Sequence, residues 1–161
     1  MTREDKIISE MIYSFKGYAL GDIKYNRKKP IAAFILSICF IDQLASFRYP
    51  LSLIDLDLRC ESFITEYLPR FKGIKMYSIF RKAVIHNYSG KRRFAVTNDR
   101  TFKKPHDTIK GKTIINTNEL IKELIKGFKK FEAELLINGS DSRINALKRE
   151  RKHPPFMYNN L

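Results

Sequence analysis

Pro30 opens an apolar run, Ile31 to Ile41, that only Ser37 interrupts. A helix apolar on nearly every side must be surrounded by other elements, so this stretch predicts a central helix from Pro30 to about Phe47. Proline is tolerated at its first turn, where the missing N–H costs little. The run is shorter than the roughly 20 residues of a membrane span. It is therefore read as the core of a cytoplasmic helical protein, with no membrane contact. Asp42 follows the run directly. An acid there must be solvated or paired among the helices.

The rest of the chain supplies the surrounding helices. Ile8, Met11, Ile12, Phe15 and Ala19 form the stripe of a first helix over Glu4–Leu20. Thr2 and Asp5 have capping-box spacing at its start. Gly21 and the basic segment from Lys24 to Lys29 read as a loop. Past Pro50, Leu56, Cys60, Phe63, Ile64 and Tyr67 mark a helix from about Leu53 to Leu68, closed by Pro69 and Gly73. Tyr77, Phe80 and Val84 recur at i, i+3 and i+7 on the next helix, which Asn87, Ser89 and Gly90 end. Lys91–Asn98 and Thr108–Ile115 are short β-capable runs, centred on Arg93–Thr97 and Lys112–Ile115 and separated by polar, basic residues, and 91–115 is read as a small hairpin or irregular insertion. Asn116 or Thr117 then starts a long helix with Leu120, Leu124, Phe128, Phe131 and Leu135 on one face, ended by Asn138-Gly139. The expected fold is mainly α: an antiparallel up-and-down bundle of about five helices over 1–138, with a basic tail over 139–161 that holds one short helix.

Charge narrows the partners. Lys and Arg number 31 against 17 acids, a net charge of +14, which attracts polyanions. Lys24, Arg27, Lys28 and Lys29 are candidate phosphate contacts, as are Lys91, Arg92 and Arg93, with Lys103 and Lys104 weaker ones. A solvated loop is the better account of Lys24–Lys29. Cys39 and Cys60 both fall in apolar helical patterns and read as two buried thiols in a reducing compartment. No CxxC or His/Cys cluster suggests a metal. The first residues, Met-Thr-Arg-Glu-Asp-Lys, lack a signal peptide's apolar core. No Walker loop, Rossmann fingerprint or nucleophile elbow is present.

The chemistry-bearing segment is Arg81-Lys-Ala-Val-Ile-His86-Asn-Tyr88. On a continuing helix Arg81 and Tyr88 lie within roughly 20° of each other, and His86 about 140° from Arg81. A histidine near pKa 6.5 suits proton transfer at neutral pH. A guanidinium can hold two phosphate oxygens. A purely structural account is also open. In it Arg81 pairs with Asp42 or Glu66, His86 caps its own helix and Tyr88 is core. Arg100 and His106 satisfy a looser Arg-to-His spacing, but Pro105 argues against a helix there.

The order Arg81, four residues, His86, one residue, Tyr88 resembles the signature of the HEPN superfamily of helical domains. In particular it resembles the toxin branch of HEPN–nucleotidyltransferase pairs. That family often has Asn, Asp or His where this chain has Lys82. The resemblance implies metal-independent RNA cleavage with no cofactor, by attack of a ribose 2′-OH on the adjacent phosphate. Arg81, His86 and Tyr88 would be the catalytic residues, and Asp42 and Asn87 supporting ones. It further implies a homodimer whose interface joins two motifs, and a partner nucleotidyltransferase acting on Tyr88 as an antitoxin. The alternative is a HEPN-like module that binds RNA, a nucleotide or a protein without turnover.

Overall fold

The computed structural model describes residues 1–79 and 94–152. It is mainly helical with a small three-stranded sheet. Helix α1 (Arg3–Ser14) begins with the full capping box. The Thr2 side chain accepts from the Asp5 N–H, and the Asp5 carboxylate accepts from the Thr2 N–H. The chain stays helical beyond the expected stop at Gly21. It widens into a π-helical turn, Phe15–Ala19, and continues as α2 (Leu20–Tyr25). Leu20 and Ile23 explain the extension, because both are buried and carry the apolar face one turn further.

Helix α3 (Pro30–Arg48) is the centre of the fold, and ten of its residues are buried. By length and composition this helix could also cross a membrane, yet more than half of its apolar stretch is buried by protein. It packs against α2, against α4 (Leu56–Tyr67), against α5 (Thr117–Leu136) and against α6 (Asp141–Lys152). Its apolarity all round thus reflects neighbours on several sides. Phe15 meets Phe40, Phe47 and Phe128 edge-on at 5.6–6.1 Å. Phe63 stacks on Tyr67 at 4.4 Å, and Phe131 packs edge-on against both. Such rings contribute beyond their buried area because quadrupole edges meet faces.

Residues 139–152 are more than a tail. Gly139 turns the chain at φ +79°, and α6 buries Ser142, Arg143, Ala146 and Leu147. Arg143 reaches Asp5 at 2.7 Å and so joins the last helix to the first. Asp55 caps α4, and a 3₁₀ turn at Pro69–Phe71 follows it. Residues 76–79 are helical, with Met76 and Tyr77 buried, as the expected fourth helix requires at its start.

The two β-capable runs pair, but parallel to each other. Strand β1 (Phe94–Thr97) lies beside β3 (Lys112–Asn116), with Phe94 opposite Thr113. The hairpin is made instead by β2 (His106–Ile109) and β3, with His106 opposite Ile115. Lys110 and Gly111 both have positive φ, 51° and 73°, the requirement of a two-residue turn whose twist matches its strands. The β-capable run expected from Thr108 to Ile115 is divided by the Lys110-Gly111 turn, and β2 begins two residues earlier, at the polar, half-exposed His106-Asp107 that alternation does not mark. Cys60 is buried as expected, but Cys39 faces outward from α3.

Candidate functional site

The motif Arg81, His86, Asn87 and Tyr88, with Lys91, Arg92 and Arg93, lies outside the described residues. The approach to it is described. Glu61 on α4 accepts the Tyr77 N–H at 3.2 Å, an acid placed at the start of a helical segment. Burial pushes the Glu61 carboxyl above its ordinary range, against the pull of the Tyr77 and Ser78 N–H groups.

Both acids considered as partners for Arg81 have cations beside them among the described residues. Asp42 pairs with Arg59 at 3.3 Å and accepts from the Cys60 thiol at 3.4 Å. Burial, and then the Asp42 charge, hold that thiol well above its usual range. Glu66 binds Arg48 at 3.0 Å and the Tyr49 hydroxyl at 2.9 Å. The Tyr67 hydroxyl, in turn, accepts from Arg48 and donates to Glu134. This network ties the ends of α3, α4 and α5 together.

The basic residues of the α2–α3 turn behave differently. Lys24, Arg27 and Lys28 line a cleft of about 580 Å³ opposite Arg100, Lys103 and Lys122. Three segments far apart in sequence form it: the end of α2 with its turn, the β1–β2 loop, and the start of α5. A chain of amides holds them in place. Asn98 donates to the Lys28 carbonyl at 3.1 Å, and Asn118 donates to the Asn98 carbonyl at 2.9 Å. Asn116 caps α5 by accepting from the N–H groups of Asn118 and Glu119, while its amide nitrogen donates to the Phe102 carbonyl. Thr117 donates to the Thr97 carbonyl at 3.0 Å.

Two acids also line the cleft, and both are already engaged. Asp99 accepts from the Thr101 N–H and hydroxyl, which hold its carboxyl low. Glu119 pairs with Lys122 and Arg70, and those contacts lower it. Among the described residues no ion pair engages Lys24, Arg27, Lys28 or Arg100, and Lys103 forms no close pair although its charge also helps to lower Asp99. Their charges therefore add across the opening. Ile121, Ile125 and Phe102 are the apolar residues of the lining, and they are buried or half-buried where the cations are exposed.

Of the sequence candidates, Lys24, Arg27, Lys28 and Lys103 come together here. Lys29 directly precedes α3, makes no side-chain cap there and does not line the cleft, and Lys104 pairs with Asp107 at 2.7 Å. Arg100 and His106 form no helical pair: Arg100 sits in a turn at the cleft and His106 begins β2, near the Phe71 ring. Arg100 was considered in the sequence only beside His106 and not as a phosphate contact, and Lys122, Asn98, Asn118 and Phe102 were not singled out. The one local signal was Asn116-Thr117-Asn118, which reads as a helix cap. Among the described residues no group of three His, Cys, Asp or Glu side chains converges as a metal-ligand set. Comparison of the chain with protein-family models, curated proteins and solved structures finds no match.

Proposed function

We propose that this protein binds RNA and cleaves it without a metal, as a HEPN-like endoribonuclease on an antiparallel up-and-down helical bundle. The observation that carries RNA contact is the cleft, where cations from three distant segments converge with few acids to oppose them. Surface lysines scattered for solubility alone would have no reason to converge. The bundle reading is supported by the neighbours that α3 has on several sides.

Cleavage rests on the Arg81, His86, Tyr88 spacing. His86 would move the proton between the 2′-OH and the leaving oxygen. Arg81 would hold the charge that builds on the phosphorane, and Tyr88 would orient the nucleotide. One motif carries one histidine, so a two-fold homodimer would complete the acid–base pair. Asp42 and Asn87 would support the site, and Tyr88 would be the target of a nucleotidyltransferase antitoxin. The setting is cytoplasmic. The cleft also favours a second reading, an RNA-binding module without turnover, because its cations do not depend on the motif.

The test is purified protein with a single-stranded oligonucleotide and EDTA, beside His86→Ala and Arg81→Ala. The expected result is cleavage that survives chelation and falls at least about a hundredfold in each variant, in keeping with the loss of an acid–base or charge-stabilising group. Cleavage by either variant at the parent rate would show that the site is wrong. Binding with no product from the parent would select the module.

A further inference from the structure

We infer that the basic cleft is a subsite for one unpaired nucleotide of a single-stranded RNA. The base would lie against Phe102, Ile121 and Ile125, and its flanking phosphates would meet the exposed cations. This inference rests on the RNA-binding reading above, and deepens it.

Three observations lead here. The first is the gradient from apolar interior to charged opening. Ile121 is 7% exposed, Ile125 and Phe102 are half-buried, and Lys24, Arg27, Lys28, Arg100 and Lys103 are exposed or nearly so. A track that only followed a phosphate backbone would need the cations and not the apolar interior. Strand-binding sites combine both, because each base has a π face and each phosphate a charge. The second is size. About 580 Å³ falls in the range of small-ligand pockets and suits a nucleotide unit, not a helix. A paired base, stacked on both faces inside a duplex, cannot enter such a space, whereas an unpaired one can. The third is rigidity. Asn98, Asn116 and Asn118 bond the walls to each other through backbone carbonyls, so little ordering cost falls on binding.

A free nucleotide shares the chemistry of this site, base plus phosphate, and the test separates the two sources. Fluorescent six-nucleotide RNA, the same RNA in a duplex, an abasic strand and ADP are titrated in EDTA against the His86→Ala protein. This background prevents cleavage. The same titrations are run with Phe102→Leu, Phe102→Tyr and the pair Arg100→Glu, Lys103→Glu added. Single-stranded RNA should bind better than duplex, abasic strand or ADP. Phe102→Leu keeps an apolar side chain but removes the ring, so it should weaken that binding roughly fivefold to a hundredfold, the range of base–aromatic stacking. It should leave the abasic strand unaffected, and Phe102→Tyr should restore binding. The charge pair should weaken every RNA.

Equal binding of base-bearing and abasic strands, or of single strand and duplex, would overturn the nucleotide subsite. So would Phe102→Leu binding like its parent. If the charge pair still weakened RNA in those cases, the RNA-binding reading would survive. ADP bound as tightly as the strand would move the ligand to a free nucleotide and overturn the strand assignment. No affinity for any RNA would overturn both readings together.

Discussion

Asp5 takes part in two contacts at once. Its carboxylate accepts the Thr2 N–H at 2.8 Å, completing the α1 cap, and meets the Arg143 guanidinium at 2.7 Å. The Thr2 backbone and hydroxyl, followed by Arg143, hold its pKa at about 2, below the ordinary 3.8. A carboxyl depressed in the folded state favours folding above its unfolded pKa, and that contribution fades as pH falls through the folded value. Asp5→Asn should therefore lower Tm at about pH 6, above both values. The gap between variant and parent should narrow from about pH 4 and close near pH 2. Thermal unfolding across that range checks it, and a gap that stayed constant would show that charge is not the cause. Exposure at Asp5 makes the effect small and salt-sensitive. The same scale explains why Cys39 was misplaced. It falls in an apolar run, but α3 is not covered on that side by any described residue that would bury it.

Between elements, α5 approaches the end of α4 closely at Gly127. A Cβ added there would stand 2.6 Å from the Tyr67 carbonyl oxygen and 3.1 Å from the Tyr67 Cβ. Backbone on the facing helix cannot swing aside as a flexible side chain would. Gly127→Ala should force the helices apart, outweigh alanine's better helix propensity, and destabilise by about 1–3 kcal/mol. Gly17, on the π-helical turn, has nothing within 4 Å of an added Cβ. Gly17→Ala should stabilise by about 0.5–1 kcal/mol. Denaturant unfolding of both variants gives the comparison, and a pair of changes with the same sign would contradict the packing argument. The sheet shows the same dependence on neighbours. β1 and β3 were legible as strands from Phe94-Ala-Val-Thr and Lys112-Thr-Ile-Ile, yet their parallel pairing was not. It requires β2 to turn back between them in sequence, and the polar His106-Asp107 that opens β2 has no alternation that announces a strand.

For the whole molecule the excess of cations matters most where it is concentrated. A net charge of +14 steers any polyanion, but only grouped, unopposed cations hold one. RNA affinity should fall linearly with the logarithm of salt concentration. Reversing Lys24 and Arg27 to Glu should flatten that slope by at least about 0.7 for each phosphate that is no longer neutralised. Reversing Lys6 and Lys148, exposed residues on the first and last helices that do not line the cleft, should leave it nearly unchanged. Titrations between about 50 and 400 mM salt, roughly the range where counterion release dominates, separate these outcomes. Equal flattening by both pairs would mean that the field acts as a whole and the cleft has no special part.

Local chemistry was legible in the sequence wherever it is decided by near neighbours in the chain. Thr2 with Asp5, Pro30, Asn116 and Gly139 mark helix ends through their own backbone demands. The apolar stripes of α1, α4 and α5 follow from the period of the helix. The central place of α3 follows from its lack of a polar face. The tertiary structure decided what depends on distant partners. It extended the first helix through Gly21 because Ile23 has a core to enter. It made α6 a packed element through Arg143, whose partner Asp5 lies at the other end of the chain. It also brought Arg100, Lys103 and Lys122 to Lys24, Arg27 and Lys28. No periodicity encodes that meeting, because charges at a surface leave no pattern in sequence until the walls that carry them are packed together.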